Sequence, residues 1–408
     1  MFFFKKKEKV EENFNMPRFL LGNTIYGMLN VSLISVMLVP FIKSLEFSPV
    51  KISALISLKE IFRFIFTFIG GIIFDIFGPR TTFLGGRIVD IISLVLLLNP
   101  TFTNVVISMM FIGISYGITY GKYSSYIYNT LSIHDKLHTY GRTTAEYYFS
   151  WDIALTIAST ISAILLKNHG YNVLVVISIM LKIAALAAVI RFVPSNKTGM
   201  FKEFKSASTK EIILSVAECV KKSKMFSWLL SFYGVLNFIA WPLAATIGHM
   251  LLLDMGWSDV QIAKYTSLLT VIMTISTLVP ILFFPNGIAL KKCFIINFAE
   301  LIFVLFAVLV YSPYLFALGC FMMSGTLSLI EVSVERRFEH YSNKKIRGSA
   351  ISVSMSLATI INVIATMFIG FVAKYISYHV GAILLILPLV VFGFAVVKYA
   401  SRLLARED

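Results

Sequence analysis

Apolar residues fall along this chain in long unbroken runs separated by short polar stretches. Twelve of the runs are each close to the ~20 residues needed to cross a bilayer. They lie at about 17–42, 52–75, 81–98, 103–130, 145–166, 172–192, 226–251, 263–285, 293–311, 314–335, 348–372 and 379–398. Runs of this length predict an all-α integral membrane protein, since a helix satisfies its own backbone hydrogen bonds where water is absent. The longest polar connection, 194–225, falls in the middle and divides the chain in two. The predicted organisation is a tail, 1–16, a six-helix bundle, 17–193, the linker, 194–225, a second six-helix bundle, 226–398, and a tail, 399–408. Ile212, Val216 and Val220, followed by Lys221, Lys222 and Lys224, predict an amphipathic linker helix lying on an anionic inner leaflet.

Composition agrees: 58% of the 408 residues are hydrophobic and 14% charged, against about 25% charge in a soluble domain. The net charge of +15 could signal nucleic acid, but its distribution points elsewhere. With the amino end inside, the inner segments hold Lys5, Lys6, Lys7, Lys9, Arg80, Lys136, Arg142, most of the linker's cations, Lys291, Lys292, Arg336 and Arg337. The outer segments hold Lys43, Lys51, Lys167 and Lys374, with Lys264 at the outer lip of a span. That asymmetry predicts both termini in the cytoplasm. The basicity is topological, and no nucleic-acid partner is expected. Cys219, Cys293 and Cys320 show neither metal nor disulfide spacing. The first ten residues have no secretory signal's apolar core.

Between the second and third runs the chain reads Gly71-Ile-Ile-Phe-Asp75-Ile-Phe-Gly78-Pro79-Arg80, a Gly-x-x-x-Asp-x-x-Gly-x-Arg pattern. Its glycines allow close helix approach and a sharp turn. This resembles the loop signature of the major facilitator superfamily of transporters, with Pro79 in place of the usual basic residue and Ile76 where Arg or Lys is common. The halves echo one another. Phe47-Ser48-Pro49-Val50-Lys51-Ile52 and Trp257-Ser258-Asp259-Val260-Gln261-Ile262 share aromatic-Ser-x-Val-x-Ile at an offset of 210, which also matches Asp90 with Glu300 and brings Lys122 within one residue of Glu331. Such repeats occur in that superfamily, so the resemblance extends over essentially the whole chain.

Intramembrane charges cost ~2.5–3.5 kcal/mol each on insertion scales and face partners or water. In the first run Asn23, Tyr26 and Asn30 form one polar stripe at i, i+3 and i+7; helix–helix hydrogen bonding and a cavity lining are both open. Glu60 and Arg63 at i,i+3 suit a local pair, and Arg63 also suits a cavity. Arg87 and Asp90 are expected to neutralise each other, and Lys182 to pair structurally. Gly113, Gly117 and Gly121 predict a close-packing face, with Tyr116, Tyr120, Lys122, Tyr123 and Tyr126 away from it. Lys122 has no acid within one turn: it suits an anionic substrate, or snorkels to the inner interface. Asp152 has no helix-local cation and suits proton uptake. Two loop histidines, His134 and His138, are a weak metal signal, so no metal or cofactor is expected.

The resemblance implies a central cavity lined by helices one, four, seven and ten. Carried onto this chain, that gives Asn23, Tyr26, Asn30, Tyr116, Tyr120, Lys122, Tyr123, Asn237, Trp241 and Glu331, with Arg63, Asp152 and Asn362 from flanking helices. Gly71, Asp75, Gly78 and Arg80 would form the gating loop, with Asp75 and Arg80 holding the inward gate shut in one state. The expected activity is secondary transport of a small charged organic solute by alternating access, with a proton coupled through Asp152 or Glu331. The protein is expected in the plasma (inner) membrane as a monomer. Import is favoured because Asp152–Ala163 lacks the Gly and Pro of the drug-antiporter signature. Efflux, or a transport-dead sensor or assembly partner, remain the alternatives. No His-Glu-x-x-His or phosphate-binding loop occurs, so no enzymatic activity is expected.

Overall fold

The computed structural model describes residues 15–119, 122–194, 239–283, 289–326 and 347–404, with Glu218 and Lys221. The expected linker helix otherwise lies outside the described residues. Among the described residues there is no strand, and the helices fall where the apolar runs predict them.

The first run is not one rod. Helix α1, Met16–Leu29, starts at Asn15, whose side chain accepts from the Arg18 N–H at 2.9 Å, with Pro17 in the first turn. It stops at Asn30, and the chain resumes as α2, Leu33–Val36, and α3, Leu38–Ser44. The next helix, α4, Pro49–Leu96, holds the second and third runs and turns at Gly78, where φ is 81° and ψ 173°. That conformation is open to glycine alone, and Pro79 then starts the third span without a stranded N–H. Helices α5, Phe102–Thr119, and α6, Lys122–Ile133, make the fourth span; α7, Tyr140–His169, and α8, Tyr171–Phe192, the fifth and sixth.

In the second half, the seventh span holds a stretch of wide π-type turns, Ile239–Ile247, around Pro242, which has no N–H to donate, and continues as α9, Gly248–Asp254. Then come α10, Asp259–Leu282, α11, Leu290–Leu309, a helix over 313–326, α12, Arg347–Tyr375, and α13, Tyr378–Leu404. These account for twelve spans. Five of the described helices, including α5 and α8, are by themselves long and apolar enough to cross a membrane; the first and second runs are interrupted by the break at Asn30 and the charges of α4.

By internal contact the chain forms two compact units that cut across several helices. One comprises Met1–Ser32, Phe62–Leu155 and Val175–Ser206; the other Leu33–Ile61, Thr156–Leu174 and Ala207–Asp408. Within the first, spans two and four cross at glycine. A Cβ on Gly70 would lie 2.6 Å from the Ile118 Cα, and one on Gly117 2.7 Å from the Arg63 carbonyl, so both backbones approach closer than any side chain permits. Gly121 lies outside the described residues.

Within the second unit, parts of first-half helices are joined to second-half helices by hydroxyl pairs and by one bond to a carboxylate. Hydroxyls of α7 meet those of α10 in an antiparallel ladder: Thr156 with Thr274 at 3.4 Å, Ser159 with Thr270 at 3.2 Å, and Thr160 with Ser267. The Tyr171 hydroxyl donates to Asp259 at 2.6 Å. Burial pushes the neighbouring Lys43 down, while Asp254 and Asp259 pull it back.

Two stability changes follow. Gly78→Ala should cost ~1–3 kcal/mol, because alanine is strained at this φ,ψ, read as a lower thermal midpoint in detergent. Tyr171→Phe should cost ~1.5–3 kcal/mol, the worth of a hydrogen bond to a charged group; an unchanged midpoint would mean the Asp259 bond contributes nothing.

Candidate functional site

The polar groups of the first unit sort by exposure. The most deeply buried set is ionic. Arg87 Nη1 lies 3.1 Å from Asp90 Oδ2, as the i,i+3 spacing predicts, and Lys182 Nζ lies 3.0 Å from the same oxygen. Lys182 also donates to the carbonyl of Asn30 at 2.6 Å, and Arg87 Nη2 to Thr119 at 3.2 Å. Two cations thus share one carboxylate, and the Asn30 carbonyl supplies a further negative end. The three side chains are at most 8% exposed. Each has a partner from another helix, as burial of charge requires.

Beside this triad the predicted polar stripe on α1 meets the aromatic face of the fourth span. The Tyr123 hydroxyl donates to Asn23 Oδ1 at 2.9 Å, and the Tyr147 hydroxyl bonds the Asn30 side chain. Tyr123 is sandwiched: its ring stacks on Tyr26 with centroids 4.7 Å apart and on Tyr147 at 4.3 Å. Phe83, Phe74 and Tyr126 complete the cluster. Asn23, Tyr26 and Tyr123 are brought together and enclosed, each 5% exposed or less. Helix–helix bonding, one of the two readings open at the sequence level, accounts for every contact shown by Asn23, Tyr26 and Asn30 here.

Among the predicted cavity and proton-coupling residues of this unit, Arg63, Tyr116, Lys122 and Asp152 are, like Asn30, only half-buried. Lys122 stretches back along the second span, with its ammonium 3.3 Å from where a Cβ on Gly71 would stand. The first glycine of the loop signature is thus the space that the fourth span's lysine occupies. Asp152, on α7, makes no hydrogen bond or ion pair among the described residues. A carboxyl left partly open and unanswered is free to take a proton or a cationic group. Glu60 lies 2.9 Å from its neighbour Lys59.

In the second unit Asn362 is buried and accepts from Thr366 at 3.2 Å. Glu300, the repeat mate of Asp90, is 4% exposed and has no cation among the described residues; Thr326 donates to one oxygen at 2.8 Å and the other is unpartnered. Sequence reasoning left Tyr147 and the Lys182–Asn30 bond unread, because both depend on helix neighbours that spacing does not encode. Tyr120, Asn237 and Glu331 lie outside the described residues, as do the side chains of Asp75 and Trp241. Gly78 and Arg80 close the turn after the second span, with the Thr82 hydroxyl donating to the Gly78 carbonyl at 2.9 Å. No group of metal-ligating side chains occurs among the described residues.

The fold is shared with solved transporters. A single-substitution variant of the nucleoside transporter NupG superposes with a TM-score of 0.76 at 16% identity, covering 93% of this chain and 99% of that one. A D-xylose-proton symporter does so with a TM-score of 0.69 at 15% identity, covering 91% and 96%. Another structure of NupG gives 0.70 at 14%, covering 94% and 98%. At such identities these likenesses show the fold alone. No functionally curated sequence matches the chain. The sequence model of the Major Facilitator Superfamily matches residues 20–333, and the chain, an all-α protein of twelve membrane spans in two pseudo-symmetric six-helix bundles, belongs to that family.

Proposed function

We propose that this protein is a secondary active transporter that moves a small, charged organic solute by alternating access and couples its movement to a proton, in the direction of import. The observation that carries this reading is the division of its intramembrane polar groups. Asn23, Tyr26, Tyr123, Arg87, Asp90 and Lys182 are enclosed and answer one another. Arg63, Tyr116, Lys122 and Asp152 remain partly open. Charges partly open inside a membrane face partners, water or a ligand.

In this reading Lys122 and Arg63 attract an anionic group of the solute, Tyr116 offers a ring and a hydroxyl, and Asp152 carries the proton. The similarity in fold to a D-xylose-proton symporter supports proton coupling as the energy source. The rocking bodies are the two six-helix halves, 17–193 and 226–398, and the loop at Gly71, Asp75, Gly78 and Arg80 acts as the inward gate. Both termini lie in the cytoplasm, on the basic side of the plasma (inner) membrane, and the protein works as a monomer.

Purified protein in liposomes should accumulate an organic anion from a solute panel when the outside is acidic, and only equilibrate it without a gradient. Accumulation indifferent to the gradient sinks the coupling. Asp152→Asn should abolish gradient-driven accumulation while leaving solute exchange intact, because exchange needs no net proton movement. Lys122→Ala should raise KM about tenfold, the loss of roughly 1.4 kcal/mol, with the thermal midpoint nearly unchanged. A changed midpoint with normal KM would make Lys122 a packing residue.

A further inference from the structure

The break in the first span lies where a membrane helix can least afford one. Helix α1 ends at Asn30, Val31 and Ser32 are not helical, and α2 starts at Leu33. The Asn30 N–H still closes onto the Tyr26 and Gly27 carbonyls at 2.9 and 3.4 Å. The Asn30 carbonyl itself points forward from the end of α1, where the helix dipole is negative. In hydrocarbon such a group must find a donor inside the protein. In transporters with interrupted helices, unwound carbonyls and the carboxyl-terminal ends of half-helices coordinate a sodium ion. Here the position is filled by an ammonium. Lys182 Nζ sits 2.6 Å from the Asn30 carbonyl and 3.0 Å from Asp90 Oδ2, and Lys182 is 2% exposed.

We infer that Lys182 is a tethered cation standing where an alkali ion would otherwise bind, and that by holding the Asn30 carbonyl it positions α1 and its polar stripe. The oxygens it joins, one carbonyl and one carboxylate, are what a hard monovalent cation selects. Arg87 lies 3.1 Å from the same carboxylate oxygen, so the Asp90 carboxylate has a second holder besides Lys182. Asn30 is tied to the fifth span through its side chain and Tyr147, and Tyr26, one turn earlier, stacks on Tyr123. The ammonium thus joins the broken helix to spans three and six at the level of that stack. A transporter built this way has no need of sodium in the cycle. Its wild-type uptake should be the same when sodium is replaced by choline, a consequence that rests on the transport reading above.

Two substitutions separate a tethered cation from plain charge pairing. Lys182→Met keeps the volume and removes the charge; Lys182→Ala removes both and opens a cradle that a small cation can enter. Thermal midpoints of the purified proteins are measured in sodium chloride, methylammonium chloride and choline chloride, which requires no transported solute. The wild type should give one midpoint in all three salts. Lys182→Met should be lower by several degrees in all three. Lys182→Ala should be lower in choline and regain at least half of the loss in sodium or methylammonium. In liposomes its uptake should become sodium- or methylammonium-dependent. The inference is overturned if both variants match the wild type, or if Lys182→Ala is as indifferent to the salt as Lys182→Met. It is equally overturned if Lys182→Ala cannot be recovered in any of the salts while Lys182→Met can. Failure of the wild type to transport any solute would sink the transport reading and leave the midpoints to decide this one.

Discussion

A bilayer interior offers no water, so each buried charge and each carbonyl freed from a helix must be answered by the protein itself. The cluster of Arg87, Asp90, Lys182 and the Asn30 carbonyl shows this constraint acting on four groups at once. Taken singly, each charge would cost several kcal/mol. Together, the carboxylate neutralises one cation, the carbonyl end of α1 answers the other, and Thr119 takes a further guanidinium N–H. Removing one member strands the rest, so the cluster ties spans one, three, four and six into a single object.

The same constraint separates architecture from function. Several enclosed polar residues of the first unit bond one another: Tyr123 to Asn23, Tyr147 to Asn30, Lys182 to Asp90. Asp152 differs by being partly open and, among the described residues, without a hydrogen bond or ion pair. The repeat sharpens the contrast. Asp90 and Glu300 stand 210 residues apart at matching positions, yet Asp90 holds two cations while Glu300 has a threonine and a bare oxygen. Among the described residues, the two halves answer this matching carboxyl differently.

Much of this could be read from the chain because it is local. Apolar runs of membrane length marked the spans, Gly78-Pro79 marked the turn, and the i,i+3 spacing marked the Arg87–Asp90 pair. What depends on a neighbouring helix could not be read. Lys182 was expected to find a partner, but nothing in spacing says that the partner is a carboxylate already shared with Arg87, or that a backbone carbonyl joins it. The break at Asn30 carries no proline to announce it. Glu60 had cations on both sides, Lys59 adjacent and Arg63 a turn away, and the adjacent one lies at ion-pair distance. The serines and threonines of α7 and α10 were silent for another reason: in membrane helices such hydroxyls usually bond the carbonyl one turn back. Thr160 and Thr270 do that as well as reach across.

Those hydroxyls bear on how such a molecule could move. Polar contacts between membrane helices average ~0.6 kcal/mol apiece, so the three rungs between α7 and α10 are worth about 2 kcal/mol together. A tenfold proton gradient supplies about 1.4 kcal/mol per proton, which is the same scale. In an alternating-access cycle, a contact between first-half and second-half helices has to break and reform at every turnover, and neutral hydroxyls suit that because they leave no bare charge when parted. The triad is built the opposite way. Separating Lys182 from Asp90 would expose two charges to hydrocarbon at a cost that a single proton cannot meet. The ionic bonds among first-half helices are therefore shared and costly to part, while the hydroxyl pairs between α7 and α10 are weak, uncharged and repeated.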